Sequence, residues 1–191
     1  MPPPQSPRRP RTLHGDEWTA LEAWLLREGE PRELPAQVAL GICMETGARG
    51  AEVLRLVVAD FTENDSKIAV GQGRERRTIP ISPLLARRLA QLLRDATGRR
   101  RVFVDGRGKA LSGTGARRLI ERARRSAGLD RRPSPTLIRN TVAARWLAKG
   151  QDVAFVKRLL GLVRLPSVEP YVFETSETDL RNLVRRLHPR A

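Results

Sequence analysis

The chain has 191 residues, 40% apolar and 30% charged, with a formal net charge of +15. That length supports one domain with a real core, and the composition excludes a disordered or fibrous chain. A charge so lopsided favours a polyanionic partner, because each neutralised phosphate releases counterions. The only lysines are Lys67, Lys109, Lys149 and Lys157, so the basic residues are overwhelmingly Arg. Arg forks onto phosphate as Lys cannot, although a GC-rich coding sequence accounts equally well for the ratio. One cysteine, Cys43, excludes an intrachain disulfide framework and reads as a small buried hydrophobe. No apolar stretch approaches the roughly 20 residues of a membrane span, and the N-terminus lacks the apolar region of a secretory signal, so a cytoplasmic location is expected.

Residues 1–14 are Pro- and Arg-rich and read as a disordered, extended arm ahead of a single domain over 15–191. Asp16 is expected to cap a first helix carrying Trp18, Leu21, Trp24 and Leu25 and ending near Gly29. A second helix, from about Pro35 to Thr46, is apolar almost all round and should be central, with Gly47 breaking it. A short third helix follows, with Val53, Leu54 and Leu56 to Val58 turned inward. The period then changes. Lys67–Val70 and Thr78–Ile81 read as strands around Gly71-Gln72-Gly73, and Val102–Val104 as a third strand. Between them Ser82-Pro83 starts a helix with Arg87, Arg88 and Arg94 on its outer face. Ser112 caps a helix bearing Arg117, Arg118, Arg122, Arg124 and Arg125, and Pro133-Ser134-Pro135 opens another that stops at Gly150. Asp152 caps a helix running to Leu160-Gly161, and a last helix is expected at about 177–187. The fold class is therefore α+β, mainly helical with a small antiparallel sheet.

The residue inventory argues against the commoner chemistries. Gly71-Gln72-Gly73 lacks the third Gly and the setting of a dinucleotide fingerprint. His14 and His188, the only histidines, sit near the two ends, which leaves no credible Ser-His-acid or Cys-His arrangement. One pattern, spread across the chain, carries more. Thr46-Gly47-Ala48-Arg49-Gly50-Ala51-Glu52-Val53-Leu54-Arg55-Leu56 resembles the first arginine box of tyrosine recombinases, the phage-integrase family. Gly71 to Ile81 is similar to that family's β-hairpin, and Ser134-Pro135-Thr136-Leu137-Ile138-Arg139-Asn140-Thr141 to its Ser-Pro-His-x-x-Arg-His-Thr box. Leu159-Leu160-Gly161-Leu162 resembles Leu-Leu-Gly-His, and Tyr171 lies nine residues further on, where the family keeps its nucleophile. The ending, Leu187-His188-Pro189-Arg190-Ala191, is similar to the tail of Xer-type members.

The resemblance implies a tyrosine-recombinase catalytic-domain fold and phosphoryl transfer needing no metal or cofactor. In the family a Tyr oxygen attacks a DNA phosphate, leaving a 3′-phosphotyrosyl bond and a free 5′-hydroxyl. Two Arg clamp the non-bridging oxygens, a hairpin Lys protonates the leaving oxygen, and a His exchanges a proton with the Tyr. A second His or Trp hydrogen-bonds the phosphate. Position by position, Arg49, Arg139 and Tyr171 are kept, whereas Gln72 stands for the Lys, Thr136 for the first His and Leu162 for the phosphate-binding His or Trp. Asn140 replaces a further His. Gln donates no proton near neutral pH, Thr is a poor base, and Leu makes no hydrogen bond.

The implied function is double-stranded DNA binding with impaired or absent strand transfer. An active site-specific recombinase and a regulatory interaction module for an active recombinase are the alternatives. Arg74, Arg76, Arg77, Arg117, Arg118, Arg124, Arg125 and Arg145 are the candidate DNA contacts. The family's N-terminal helical domain is expected to be absent. The helix at 177–187 is the expected route to self-association or to another recombinase.

Overall fold

The computed structural model describes residues 11–62, 66–94, 98 and 100–162. Tyr171 and the helix expected at 177–187 lie outside the described residues, as does the arm over 1–10. The elements run α1 (Gly15–Leu26), α2 (Leu34–Thr46), α3 (Gly50–Arg55), β1 (Phe61–Thr62), β2 (Lys67–Val70), β3 (Arg77–Pro80), α4 (Pro83–Leu93), α5 (Gly113–Ser126), α6 (Pro135–Ala148) and α7 (Val153–Leu160).

Helix α2 is the axle, as its uniform apolarity predicts. Ala36, Val38, Leu40, Ile42, Cys43 and Met44 are all buried, and α3, α4, α5 and α6 pack around them. Cys43 belongs to this core, and burial above all pushes its thiol up to about 12, far from a nucleophile's range. Serine and aspartate start the later helices as expected. Ser82, Ser112 and Ser134 each accept an N–H three residues on, and Asp152 Oδ1 accepts from Phe155 at 2.5 Å.

The sheet is three-stranded and antiparallel in the order β1-β2-β3, with Ile68 opposite Ile79 and Val70 opposite Arg77. Ile68, Val70 and Ile79 fill its core face. Pro80, which cannot donate to a ladder, sits on edge strand β3.

Five expectations are corrected. The third strand is Phe61–Thr62, not Val102–Val104, where only isolated bridges form (Val57 with Arg101, Val104 with Ala110). Val102 and Phe103 are apolar because they are buried, not because they are laddered. Helix α1 is capped by His14, whose N–H donates to Glu17 at 2.8 Å, with Asp16 inside its first turn, and it ends at Leu26. Helix α3 stops at Arg55, so Leu56 is buried from beyond its end and Val57 and Val58 are half-buried. Arg88, expected on the outer face, is half-buried, and its guanidinium donates to the carbonyls of Leu25 and Arg27 at the C-terminal end of α1.

Residues 11–14, read as the end of the arm, are docked instead. The Leu13 N–H donates to Thr141 Oγ1 at 2.8 Å, Asn140 Nδ2 to the Arg11 carbonyl at 2.9 Å, and Arg131 to the Thr12 carbonyl at 2.9 Å. The buried Leu13 side chain joins the core beside Trp18, an apolar anchor that the surrounding polar residues mask.

Candidate active site

The site is built on the turn between α2 and α3. Gly47 ends α2 in the left-handed conformation, φ +62°, and a Cβ there would stand 2.4 Å from Leu160 Cδ2. Only glycine meets both demands cheaply. Two residues on, Arg49 precedes α3 and donates its backbone N–H to Glu52 Oε2 at 2.6 Å, which fixes the start of the helix. Its side chain, 40% exposed, leans across to the β2–β3 hairpin, where a terminal guanidinium nitrogen lies 2.8 Å from Glu75 Oε2.

Arg139 approaches the same turn from behind. It is buried in α6 and donates to the Gly47 carbonyl at 2.6 Å and to the Leu160 carbonyl at 2.8 Å. The two arginines, far apart in sequence, thus attach to one turn in different ways: Arg49 leans out from it, and Arg139, buried, holds the Gly47 carbonyl two residues earlier.

In front of Arg49 is an open cleft of about 210 Å³, walled by Arg49, Glu52, Asp60, Gln72, Glu75 and Arg76 among others. Gln72 therefore shares one concavity with Arg49, as its place in the hairpin predicts. Thr136 is exposed in the first turn of α6, and Leu162 is half-buried against the small cluster of Ala143, Val156 and Leu160. The cleft walls carry acids as well as bases. Burial pushes the Glu52 carboxyl up, but hydrogen bonds from Arg77 and the Arg49 N–H, with the charges of both guanidiniums, outweigh it and hold it below the ordinary carboxylate value. Arg76 pairs with Asp60 at 2.8 Å.

The remaining candidate arginines divide by environment. Arg74, Arg117 and Arg118 are exposed. Arg77 is instead internal: its side chain is 10% exposed, its Nε donates to the Leu159 carbonyl at 2.6 Å, and it pairs with Glu52 at 2.9 Å. Arg124 is likewise committed within the protein, to Glu121 at 2.9 Å and to the Leu129 carbonyl at 2.9 Å. Arg125 also reaches Glu121, at 3.2 Å, while remaining exposed. Arg145 stacks over the Trp18 ring, 4.9 Å from its centroid.

Sequence reasoning overlooked Glu52 and Glu75 as site residues. The signal for Glu52 was its place three residues after Arg49, the spacing of a reciprocal cap. For Glu75 it was a single acid set inside Arg74-Glu75-Arg76-Arg77.

Comparison with other proteins assigns the class. The phage integrase family model matches residues 11–177, and the chain belongs to that family. It is similar to the tyrosine recombinase XerC of Pelotomaculum thermopropionicum, 28% identical over 200 residues that cover 96% of this chain and 63% of the relative. The chain therefore spans less than two thirds of that protein's length. Its fold resembles the crystal structure of XerA recombinase, with a TM-score of 0.76 at 22% identity, covering 100% of this chain and 68% of the other. It also resembles XerH site-specific recombinase bound to palindromic difH substrate in a post-cleavage complex, with a TM-score of 0.73 at 21% identity over 94% of this chain and 53% of the other. No described helix is long and apolar enough to cross a membrane.

Proposed function

We propose that the chain is a double-stranded-DNA-binding domain of the tyrosine-recombinase type, acting in the cytoplasm, with strand transfer impaired or lost. The observation that supports this is that Arg49 and Gln72 line one open cleft, while Arg139 donates to the Gly47 carbonyl two residues before Arg49. A guanidinium in that cleft offers paired N–H donors to the non-bridging oxygens of a backbone phosphate, where charge gathers during displacement. The net charge of +15 supplies the long-range attraction. That XerH, similar in fold, is bound to its difH substrate supports the same assignment.

The impairment follows from side-chain chemistry. Gln72 has no proton to give a leaving 5′-oxygen at neutral pH, and Thr136 is a poor partner for the Tyr171 hydroxyl. Leu162 adds no hydrogen bond to the phosphate. Losing one general acid or base costs on the order of 10²–10⁴ in rate, so losing two leaves little. Nearby arginines do not compensate, because a guanidinium holds its proton far above neutral pH.

The test is covalent trapping on nicked suicide duplexes, resolved by denaturing gel. The expected result is DNA binding without a protein–DNA adduct. An adduct that forms readily and disappears in Tyr171→Phe overturns the impairment and makes the chain an active strand transferase. Failure to bind any duplex overturns the assignment altogether.

A further inference from the structure

We propose that Glu75 is an internal competitor for the phosphate: its carboxylate occupies Arg49 in the free protein and must leave before DNA can engage that guanidinium. The inference rests on the phosphate-binding role given to Arg49 above.

The hairpin tip is shaped to deliver this carboxylate. Gly71, at φ +87°, lets the chain turn so tightly that a Cβ there would fall 2.4 Å from the Glu75 carbonyl. Gly73, at φ +51°, opens the single 3₁₀ turn Gly73–Glu75 that follows. Arg77 then holds the Glu75 carbonyl at 3.2 Å, so the residue's backbone is anchored while its side chain projects into the cleft. There it meets the Arg49 guanidinium at 2.8 Å. A carboxylate and a phosphodiester present the same kind of oxygens to a guanidinium, and two anions cannot share it without repulsion.

The two acids beside Arg49 differ in how firmly they are held. Glu52 is 3.7 Å from the same guanidinium nitrogen, but it is nearly buried and belongs to Arg77. Glu75 is 41% exposed, and its contact with Arg49 is a partly solvated pair of the weak, exchangeable kind. It is therefore the acid that yields. Gln72 lies on the same tip, three residues earlier, and lines the same cleft, but Arg77 keeps the Glu75 backbone in place, so release of Arg49 requires only that the Glu75 side chain turn away.

The test is a double-mutant cycle on binding of a short fluorescent duplex at fixed low salt, with circular dichroism confirming that each variant is folded. Glu75→Gln in the parent should tighten binding about fivefold, the upper range for an exposed pair. In an Arg49→Met background the same change should alter affinity less than about twofold, because no guanidinium remains to be released. Glu75→Asp, which keeps the charge but shortens the reach, should fall between parent and Glu75→Gln. Equal tightening in both backgrounds would reduce Glu75 to general electrostatics and overturn the competitor role. So would no tightening while Arg49→Met weakens binding, although the phosphate role of Arg49 would then stand. If Arg49→Met binds as tightly as the parent, that role fails, and this inference with it.

Discussion

Arg77 and Arg139 come from different elements, β3 and α6, and donate to consecutive main-chain carbonyls, Leu159 at 2.6 Å and Leu160 at 2.8 Å. These carbonyls close the last turn of α7, where partners within the helix run out and the helix dipole favours cations. The same two guanidiniums reach the Arg49 turn, Arg77 through Glu52 and Arg139 through the Gly47 carbonyl. The end of α7 is thereby fixed against the start of α3.

Arg77 should matter more for stability than its place in an arginine-rich hairpin suggests. Arg77→Met leaves the Glu52 carboxylate nearly buried with its strongest partner gone, at a cost of about 3 kcal/mol. Glu52→Met on top of it removes the stranded charge, so the double variant should recover much of that loss. Urea denaturation of the four proteins checks this. A double variant as unstable as Arg77→Met would show that the loss comes from the Leu159 contact rather than from the unpaired acid.

Gly47→Ala should be among the costliest small changes in the molecule. It places a Cβ at φ +62° and drives it within 2.4 Å of Leu160 Cδ2. Backbone strain and overpacking each contribute roughly 1–2 kcal/mol, so about 3 kcal/mol is expected. Shortening the obstacle tests the source: Gly47→Ala with Leu160→Ala should be less damaging than the two single changes added, measured by urea midpoint. Strict additivity would leave strain as the whole effect.

What could be read in the sequence followed physical periodicity. Helix α2 announced itself by apolarity on all sides, and Ser82, Ser112, Ser134 and Asp152 marked helix starts through local hydrogen bonding. The stretches around Arg49, Gln72 and Arg139 stood out through their resemblance to family motifs, with Arg49 and Gln72 beside turns and Arg139 inside α6. What escaped was long-range pairing. Phe61–Thr62 is a strand only because β2 lies beside it, since two residues carry no alternation. Residues 11–14 looked solvated by composition, yet Thr141 and Asn140, more than a hundred positions away, supply the bonds that hold them down. Arg77 and Arg124 looked like their exposed neighbours because a basic run does not disclose which members will find a carboxylate and a carbonyl inside the fold.

Among the described residues, four carboxyls should make the protein sensitive to acid. Glu17, Glu33, Glu52 and Glu121 all have folded-state values below the ordinary 4.5, and Glu121, held first by the Arg124 hydrogen bond, falls to about 2. A lowered folded value means stability present in full above about pH 4.5 and lost as pH falls toward the folded values. The urea midpoint should therefore be level near neutrality and drop steeply below about pH 4.5. Glu52→Gln should lower the plateau and flatten the acid limb, because it removes one of the groups that titrate. An acid limb unchanged by Glu52→Gln would place the linkage in other carboxyls.

The exposed and the internally committed arginines should separate in their response to salt. Each phosphate contact contributes close to 0.9 to the slope of log affinity against log salt on duplex DNA. Arg117 and Arg118 are exposed on α5, so Arg117→Ala with Arg118→Ala should make the slope shallower by nearly 2 and weaken binding at every salt concentration. Arg124→Ala, which removes a partner of Glu121 and of the Leu129 carbonyl, should lower the urea midpoint and leave the slope almost unchanged. Fluorescence anisotropy on one duplex over a salt series measures both quantities that the comparison needs. If Arg124→Ala flattens the slope as much as the paired change at 117 and 118, DNA must pull Arg124 away from Glu121, and exposure in the free protein does not sort the contacts.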